Sequence, residues 1–446
     1  MHYLPHTPAD REFMLRAVGA QSIEELFADV PADVRFPHLD LPDPLAEPEL
    51  LAELRAIAEK NWDADHHPCF LGAGAYNHFI PTVVRHALQR SEFCTAYTPY
   101  QPELSQGTLQ ATFEYQSMIC ELTGMDVANA SHYDGATATA EAVLMAFNVL
   151  RGERNRVLLS RYVHPHYRQA VHTYLQGFNL EIAGEERPAE PGELAHMADS
   201  RTCCAVVQVP DFRGELAPLG ELISLAERLH SVGALLIAVV NPISLGLLKP
   251  PGAFGADIVV GEGQPLGNEL SFGGPYLGFF ATKMEYVRRM PGRLVGMTVD
   301  RDGKRAFVLT LATREQHIRR EKATSSICTN QAMNALAAAV YMAALGPSGL
   351  RHVASLCYDK AHYAATQLAA LPGFSVLNRA FFHEFVLSCP MPAEEIAALL
   401  LERGIIPGYC IGKDYPEYTG CMLLCCTEMN TRAQIDRLVQ TLEELA

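Results

Sequence analysis

Lysine is scarce in this 446-residue chain, occurring only at Lys60, Lys249, Lys283, Lys304, Lys322, Lys360 and Lys413. Lys and Arg together number 35 against 51 Asp and Glu, a formal charge of −16 with no long basic run. Such a chain repels phosphate backbones, which argues against nucleic acid as a partner. Also missing is an uninterrupted apolar stretch of the roughly 20 residues a membrane span needs. The longest, Gly233 to Leu248, is broken by Asn241 and Pro242, so no membrane association is expected. The opening MHYLPHTPADREFML has no basic start followed by an apolar block; neither a secretory signal nor a transit peptide is readable, and a cytoplasmic location is expected. Among the 12 cysteines are the pairs Cys203-Cys204 and Cys425-Cys426 but no C-x-x-C, so they read as reduced core residues rather than a zinc or redox site. His66-His67 and His164-Pro165-His166 lack a second cluster at ligand spacing and read as exposed loop histidines.

What is present is a large apolar complement, 49% of the residues, enough for a sizeable core in two or three domains. A segment rich in Pro and Asp, Val30 to Pro48, separates a short helical start from the body. Helical spacing marks ELLAELRAIAEKN near residue 50 and Leu109 to Leu122, and Asp134 is placed to cap a helix beginning at Gly135. From there strands and helices alternate: Arg156–Ser160, Asn179–Ala183, Cys203–Val209, Ala234–Val240 and Ala256–Val260 as strands, with helices at Arg168–Gln176 and Leu219–Ser231 and a further strand at Leu277–Ala281. Continuous apolar strands joined by helices imply an α/β fold with a mostly parallel sheet covered on both faces. A long apolar helix at Asn330–Leu345, strands at Glu384–Ser388 and Met422–Cys426 and a helix at Ala393–Arg403 imply a smaller C-terminal α+β domain. The expected division is an arm over 1–60, a large domain over 61–330 and a small one over 331–446.

Several segments carry chemistry-bearing residues. Gly261-Glu262-Gly263-Gln264-Pro265-Leu266-Gly267 follows a strand as a dinucleotide loop does, but Pro265 does not open a helix that would hold a pyrophosphate. Gly135-Ala136-Thr137 offers free N–H groups at a helix start, a possible anion seat for which Asp134 competes. The loop Tyr97-Thr98-Pro99-Tyr100-Gln101-Pro102-Glu103-Leu104-Ser105-Gln106-Gly107 is dense in directional polar groups and is a candidate site wall; a proline-stiffened surface turn is the plainer account. Arg319 to Gln331, with Lys322, Thr324 and Ser325, suits an anionic ligand or partner or, equally, a solvated face.

The runs YTPYQPELSQGTLQATFEYQ, NASHYDGATATAEA, GADIVVGEGQPLG, SFGGPYLGFFA and REKATSSICTNQ resemble the first of the two subunits in the split form of the glycine decarboxylase, or P-protein, family. The resemblance spans the chain. It implies a type I pyridoxal-phosphate aminotransferase-like fold, a heterotetramer of two subunits 1 with two subunits 2, and glycine decarboxylation with transfer of the aminomethyl group to the lipoyl group of H-protein, releasing CO₂. Enzymes of that fold hold pyridoxal phosphate with a lysine and an upstream aspartate. Here the lysine is expected shortly after ADIVV, where Gly263-Gln264-Pro265 stands, and the aspartate at the end of ALLIAVV, where Asn241 stands. The resemblance therefore implies that subunit 2 carries the cofactor and that this chain completes its site. Tyr97 and Tyr100 are then expected as hydrogen-bonding walls and Glu103 as an orienting carboxylate, with Ser105 and Gln106 behind them and Lys322, Thr324 and Ser325 facing the shared interface. Two other readings stay open: a noncatalytic structural or regulatory subunit, and a self-sufficient transferase using Lys249 or Lys283.

Overall fold

The computed structural model describes residues 5–94, 97–186, 190–328 and 331–445. The chain forms two compact units, Met1–Asn61 and Trp62–Ala446. In the first, α1 (Pro8–Val18) starts at a capping box: Thr7 accepts from the Asp10 N–H while the Asp10 carboxylate accepts from that of Thr7. Neither α1 nor α2 (Glu47–Ala58) buries a residue, and Phe13, Val18, Leu39 and Leu41 are exposed along this unit.

The second unit contains α3 (Thr82–Leu88), α4 (Ser91–Cys94), α5 (Gln106–Thr123), α6 (Gly135–Val149), α7 (Pro165–Leu175), α8 (Pro191–Met197), α9 (Leu219–Ser231), α10 (Gln316–Arg319), α11 (Ala332–Ala369), α12 (Ala393–Glu402) and α13 (Arg432–Glu443). Its main sheet has seven strands: β1 (Val127–Ala128), β2 (Arg156–Leu159), β3 (Glu181–Ala183), β4 (Thr202–Val209), β5 (Leu235–Val240), β6 (Ile258–Glu262) and β7 (Gly278–Thr282), in the order β1-β7-β6-β5-β4-β2-β3. The ladders from β3 through β6 are parallel, whereas β7 runs antiparallel between β6 and β1. Strand alternation explains the continuous apolar runs, because each face has its own core. Leu236, Ala238 and Val240 of β5 enter one, with α9 and α11, while Leu235, Ile237 and Val239 enter the other, with α6 and α7.

A hairpin that the sequence pattern did not mark, β8 (Leu294–Val299) with β9 (Arg305–Thr310), packs on α5, and Lys304 sits in its turn. The small antiparallel sheet has the order β10-β11-β13-β12, made of β10 (Ser375–Val376), β11 (Glu384–Ser388), β12 (Tyr409–Cys410) and β13 (Cys421–Cys425). Its core takes residues from α11, α12 and α13, and also Phe70 from far upstream. The expected boundary at 330/331 falls on Asn330, which with Thr329 lies outside the described residues, as does the expected start of the long helix. Among the described residues, α11 alone is long and apolar enough to cross a membrane, but it breaks at Gly346-Pro347 (Gly346 φ 60°) and buries residues in two cores.

Candidate functional site

The parallel strands end at a buried polar cluster, the position where ligands sit in open α/β sheets. Glu262 closes β6 and projects its carboxylate onto the start of α6. Its Oε2 accepts from the Gly135 N–H at 3.1 Å, and its Oε1 accepts from the N–H groups of Gln264 and Leu277, both at 3.0 Å. Thr137 N–H is taken by Asp134 at 2.7 Å. A helix N-terminus favours an anion or another strong acceptor, and the acceptor seated here is the chain's own carboxyl group. This corrects the expectation that Gly135 and Thr137 offer free donors. Gly135 is required because a Cβ there would lie 2.4 Å from the Tyr167 hydroxyl and 2.9 Å from the Glu262 nitrogen. Burial pushes the Glu262 carboxyl up to about 8, against the pull of those three N–H groups.

Gln264, at the position expected for a cofactor lysine, is 1% exposed. Its Oε1 accepts from Tyr76 N–H at 2.9 Å and its Nε2 donates to the carbonyls of Tyr76 and Asn268 at 3.0 and 2.9 Å. The Tyr76 ring lies 4.7 Å from that of His383, whose Nε2 meets Asn241 Nδ2 at 3.3 Å. The Tyr76 hydroxyl donates to Glu384 at 2.7 Å. Burial holds His383 down to about 3, hence neutral, and lifts Glu384 to about 7 despite donation from Tyr76 and Ala73. His164 is buried, not in an exposed loop as its sequence setting suggested; it caps α7 by accepting from His166 N–H and stacks on Tyr167 at 4.7 Å. The glycines flanking Glu262 serve packing: a Cβ at Gly261 would lie 2.2 Å from the Val240 carbonyl oxygen.

The candidate lysines lie elsewhere. Lys283 follows β7 and binds Asp257, the residue before β6, at the far end of that strand from Glu262. Lys249 is exposed on the return loop between β5 and β6.

The Tyr97–Gly107 loop stands away from this filled cluster. Tyr97 and Tyr100 are 73% and 48% exposed, and Glu103 is exposed. Tyr100 rests against His317, with ring centroids 5.3 Å apart. Gln106 anchors the loop to β9 through paired bonds with the Phe307 backbone at 2.8 and 2.9 Å, while Ser105 precedes α5 without a side-chain capping bond. Lys322 is exposed; Thr324 is half-buried, and Ser325 donates to Glu141 of α6 at 2.6 Å. Burial raises that Glu141 carboxyl to about 7. The structure therefore brings Ser325 to α6, and Tyr97 to a cavity wall that also includes Arg293, a residue absent from the sequence expectations.

A family model described as the glycine cleavage system P-protein matches residues 1–442. The chain belongs to this family. A P-protein relative from Thermomicrobium roseum, "Probable glycine dehydrogenase (decarboxylating) subunit 1", is 54% identical, with 100% of this chain and 99% of the relative covered. A crystal structure of glycine decarboxylase (P-protein) in inhibitor-bound form is 46% identical and superposes with a TM-score of 0.91, each chain fully covered. A C-DES mutant with glycine covalently linked to its PLP cofactor shares the fold alone, at 15% identity and a TM-score of 0.59 over 85% of this chain and 96% of that one.

The fold is that of type I pyridoxal-phosphate enzymes, so the fit of that cofactor to this P-protein chain is a structural question. It does not fit. A phosphate at α6 meets the Glu262 carboxyl group, and no lysine amine or ring-nitrogen carboxylate stands at Gln264 or Asn241. Glu262 and Tyr76 were missed in the sequence. The available signal was a lone glutamate ending an apolar strand, read there only as part of a poor glycine loop.

Proposed function

We propose that this chain is subunit 1 of a two-subunit glycine decarboxylase of the glycine cleavage system, completing a site whose pyridoxal phosphate belongs to subunit 2. The assembled enzyme decarboxylates glycine and passes the aminomethyl group to the lipoyl group of H-protein, in a cytoplasmic heterotetramer of two subunits of each kind. The observation that carries this reading is the Glu262 carboxylate in the chain's own anion seat, with Gln264 and Asn241 tied into the protein behind it. A chain so filled has no room for the cofactor, yet it presents Tyr97, Tyr100 and Glu103 outward on a loop that Gln106 fixes to β9. Exposed apolar residues of the arm, such as Phe13 and Leu41, add surface that a partner would cover.

In the assembled enzyme these residues position groups and exclude water. The tyrosine hydroxyls hydrogen-bond the substrate, Glu103 orients them, and the rigid wall shields the carboxylate being lost from solvent. Replacing Tyr100 by Phe together with Glu103 by Gln is expected to lower glycine-dependent CO₂ exchange in the reconstituted pair by roughly 10- to 1,000-fold, with co-elution of the subunits unchanged. Unaltered turnover would remove the loop from the site and favour a purely structural subunit; a purified chain that alone binds pyridoxal phosphate covalently would overturn the partner assignment.

A further inference from the structure

The cavity beside Tyr97, Thr98 and Pro99 has a volume of about 320 Å³ and, among the described residues, a single charged side chain in its wall, Arg293. Arg293 lies just before β8 and is 8% exposed. Its Nε is buried without a hydrogen-bond partner, and no carboxylate lies within ion-pair distance among the described residues. Glu315 is close enough to feel its charge, but that carboxylate already faces Arg314 at 3.9 Å, so two guanidinium groups share one anion. The Tyr100 ring centroid is 5.8 Å away and supplies only a weak cation–π contact. A buried guanidinium whose one nearby carboxylate is shared and lies outside ion-pair distance is incompletely compensated, and its planar fork matches a carboxylate. The lining also includes the apolar Val295 of β8, Leu309 of β9 and Leu336 of α11. With one cation in the wall, the cavity balances one negative charge and not the two of a phosphate monoester.

We propose that this cavity binds a small monocarboxylate, its carboxylate on the Arg293 guanidinium and its aliphatic body against Val295, Leu309 and Leu336. The volume lies within the range of small-molecule sites. This site is separate from the cofactor question and is a property of the chain by itself.

Calorimetric titration of the purified full-length chain with acetate, butyrate and hexanoate, and with hexanamide as the uncharged control, tests the assignment. Affinity is expected to rise roughly threefold to fourfold per added methylene, with hexanoate at least about tenfold tighter than hexanamide. Arg293→Gln should abolish that preference for the acid. Leu309→Trp, which fills the cavity and leaves the guanidinium in place, should weaken hexanoate by about tenfold or more. Equal binding of acid and amide, no saturable binding of hexanoate, or undiminished binding in the Leu309→Trp chain would each overturn the proposal, the last also if Arg293→Gln does not fold. The titration is repeated on the chain assembled with its partner subunit. Retained binding supports a small-molecule occupant, whereas loss on assembly makes a partner carboxylate the counter-ion and overturns it.

Discussion

Removing the Glu262 carboxylate tests whether the end of β6 holds an anion seat filled from within. In Glu262→Ala three buried N–H donors, those of Gly135, Gln264 and Leu277, lose their acceptor. An unsatisfied buried donor costs about 1–3 kcal/mol, and partial relaxation brings the total to about 3–6 kcal/mol. For a cooperative unit the size of 62–446 the unfolding entropy is about 0.8 kcal/mol per degree, so Tm should fall by roughly 4–7 °C. The side chain's departure also frees space directly over the α6 N-terminus. Inorganic phosphate should enter it, and at ten times its Kd would restore about 1.4 kcal/mol, close to 2 °C. Differential scanning fluorimetry of wild type and variant, in phosphate and in chloride at matched ionic strength, measures both effects. The wild type gives the baseline for general salt stabilisation. A variant with unchanged Tm, or one that gains no more from phosphate than the wild type does, would refute the idea that this carboxylate stands in for an anion.

Two further outcomes follow from the same cluster. The Glu262 carboxyl titrates at about 8 in the folded chain against an ordinary value of 4.5; its contribution is greatest below the unfolded value and is lost as pH rises through the folded one. Glu262→Gln should therefore gain stability relative to wild type between pH 4.5 and 8, by up to about 1.4 kcal/mol per unit, and parallel pH profiles from denaturant melts would disprove that. The double replacement Gln264→Lys with Asn241→Asp supplies both cofactor handles but leaves Glu262 on the α6 N-terminus; incubated with pyridoxal phosphate it should show no visible band and no borohydride-trapped adduct, and a yellow protein would contradict the occupied seat.

The strands of the main sheet were readable because β4, β5 and β6 lie between two cores, which forces unbroken apolar runs such as Leu235–Val240. Asp134 was equally legible, since its cap bond to Thr137 is local in sequence. The antiparallel sense of β7 was not, because a short buried strand looks the same in either direction. Nor was the β8–β9 hairpin marked, although Val295, Met297 and Val299 alternate with Gly296 and Thr298; its outer residues Met297 and Val299 stay exposed, so the pattern points to no core face. The clearest failure concerns contacts made over long separations. Tyr76 meets Gln264 across 188 residues and Glu384 across 308, and no local pattern announces such a meeting. Arg293 was invisible for the same reason, because its isolation depends on what β9, α5 and α11 fail to place near it.

The substitutions at Gln264 and Asn241 show a missing cofactor more weakly than Glu262 does. A lysine can be lost while the pocket stays open, and such a chain would still take up pyridoxal phosphate without a covalent bond. Glu262 opposes that route, because a carboxyl group attached to the protein competes for the Gly135 N–H at an effective concentration no free ligand reaches. Each surrounding residue then acquires a structural task. Gln264 binds the 76 backbone, Asn241 accepts from Ile243, and Gly135 stays small to admit Tyr167. Reversing any one of these leaves the others in place, so the cluster resists a single substitution as a whole. The Tyr97–Gly107 loop lies outside that cluster, exposed yet anchored through Gln106, and the proposed role of this chain in catalysis therefore rests on that loop and not on the cluster.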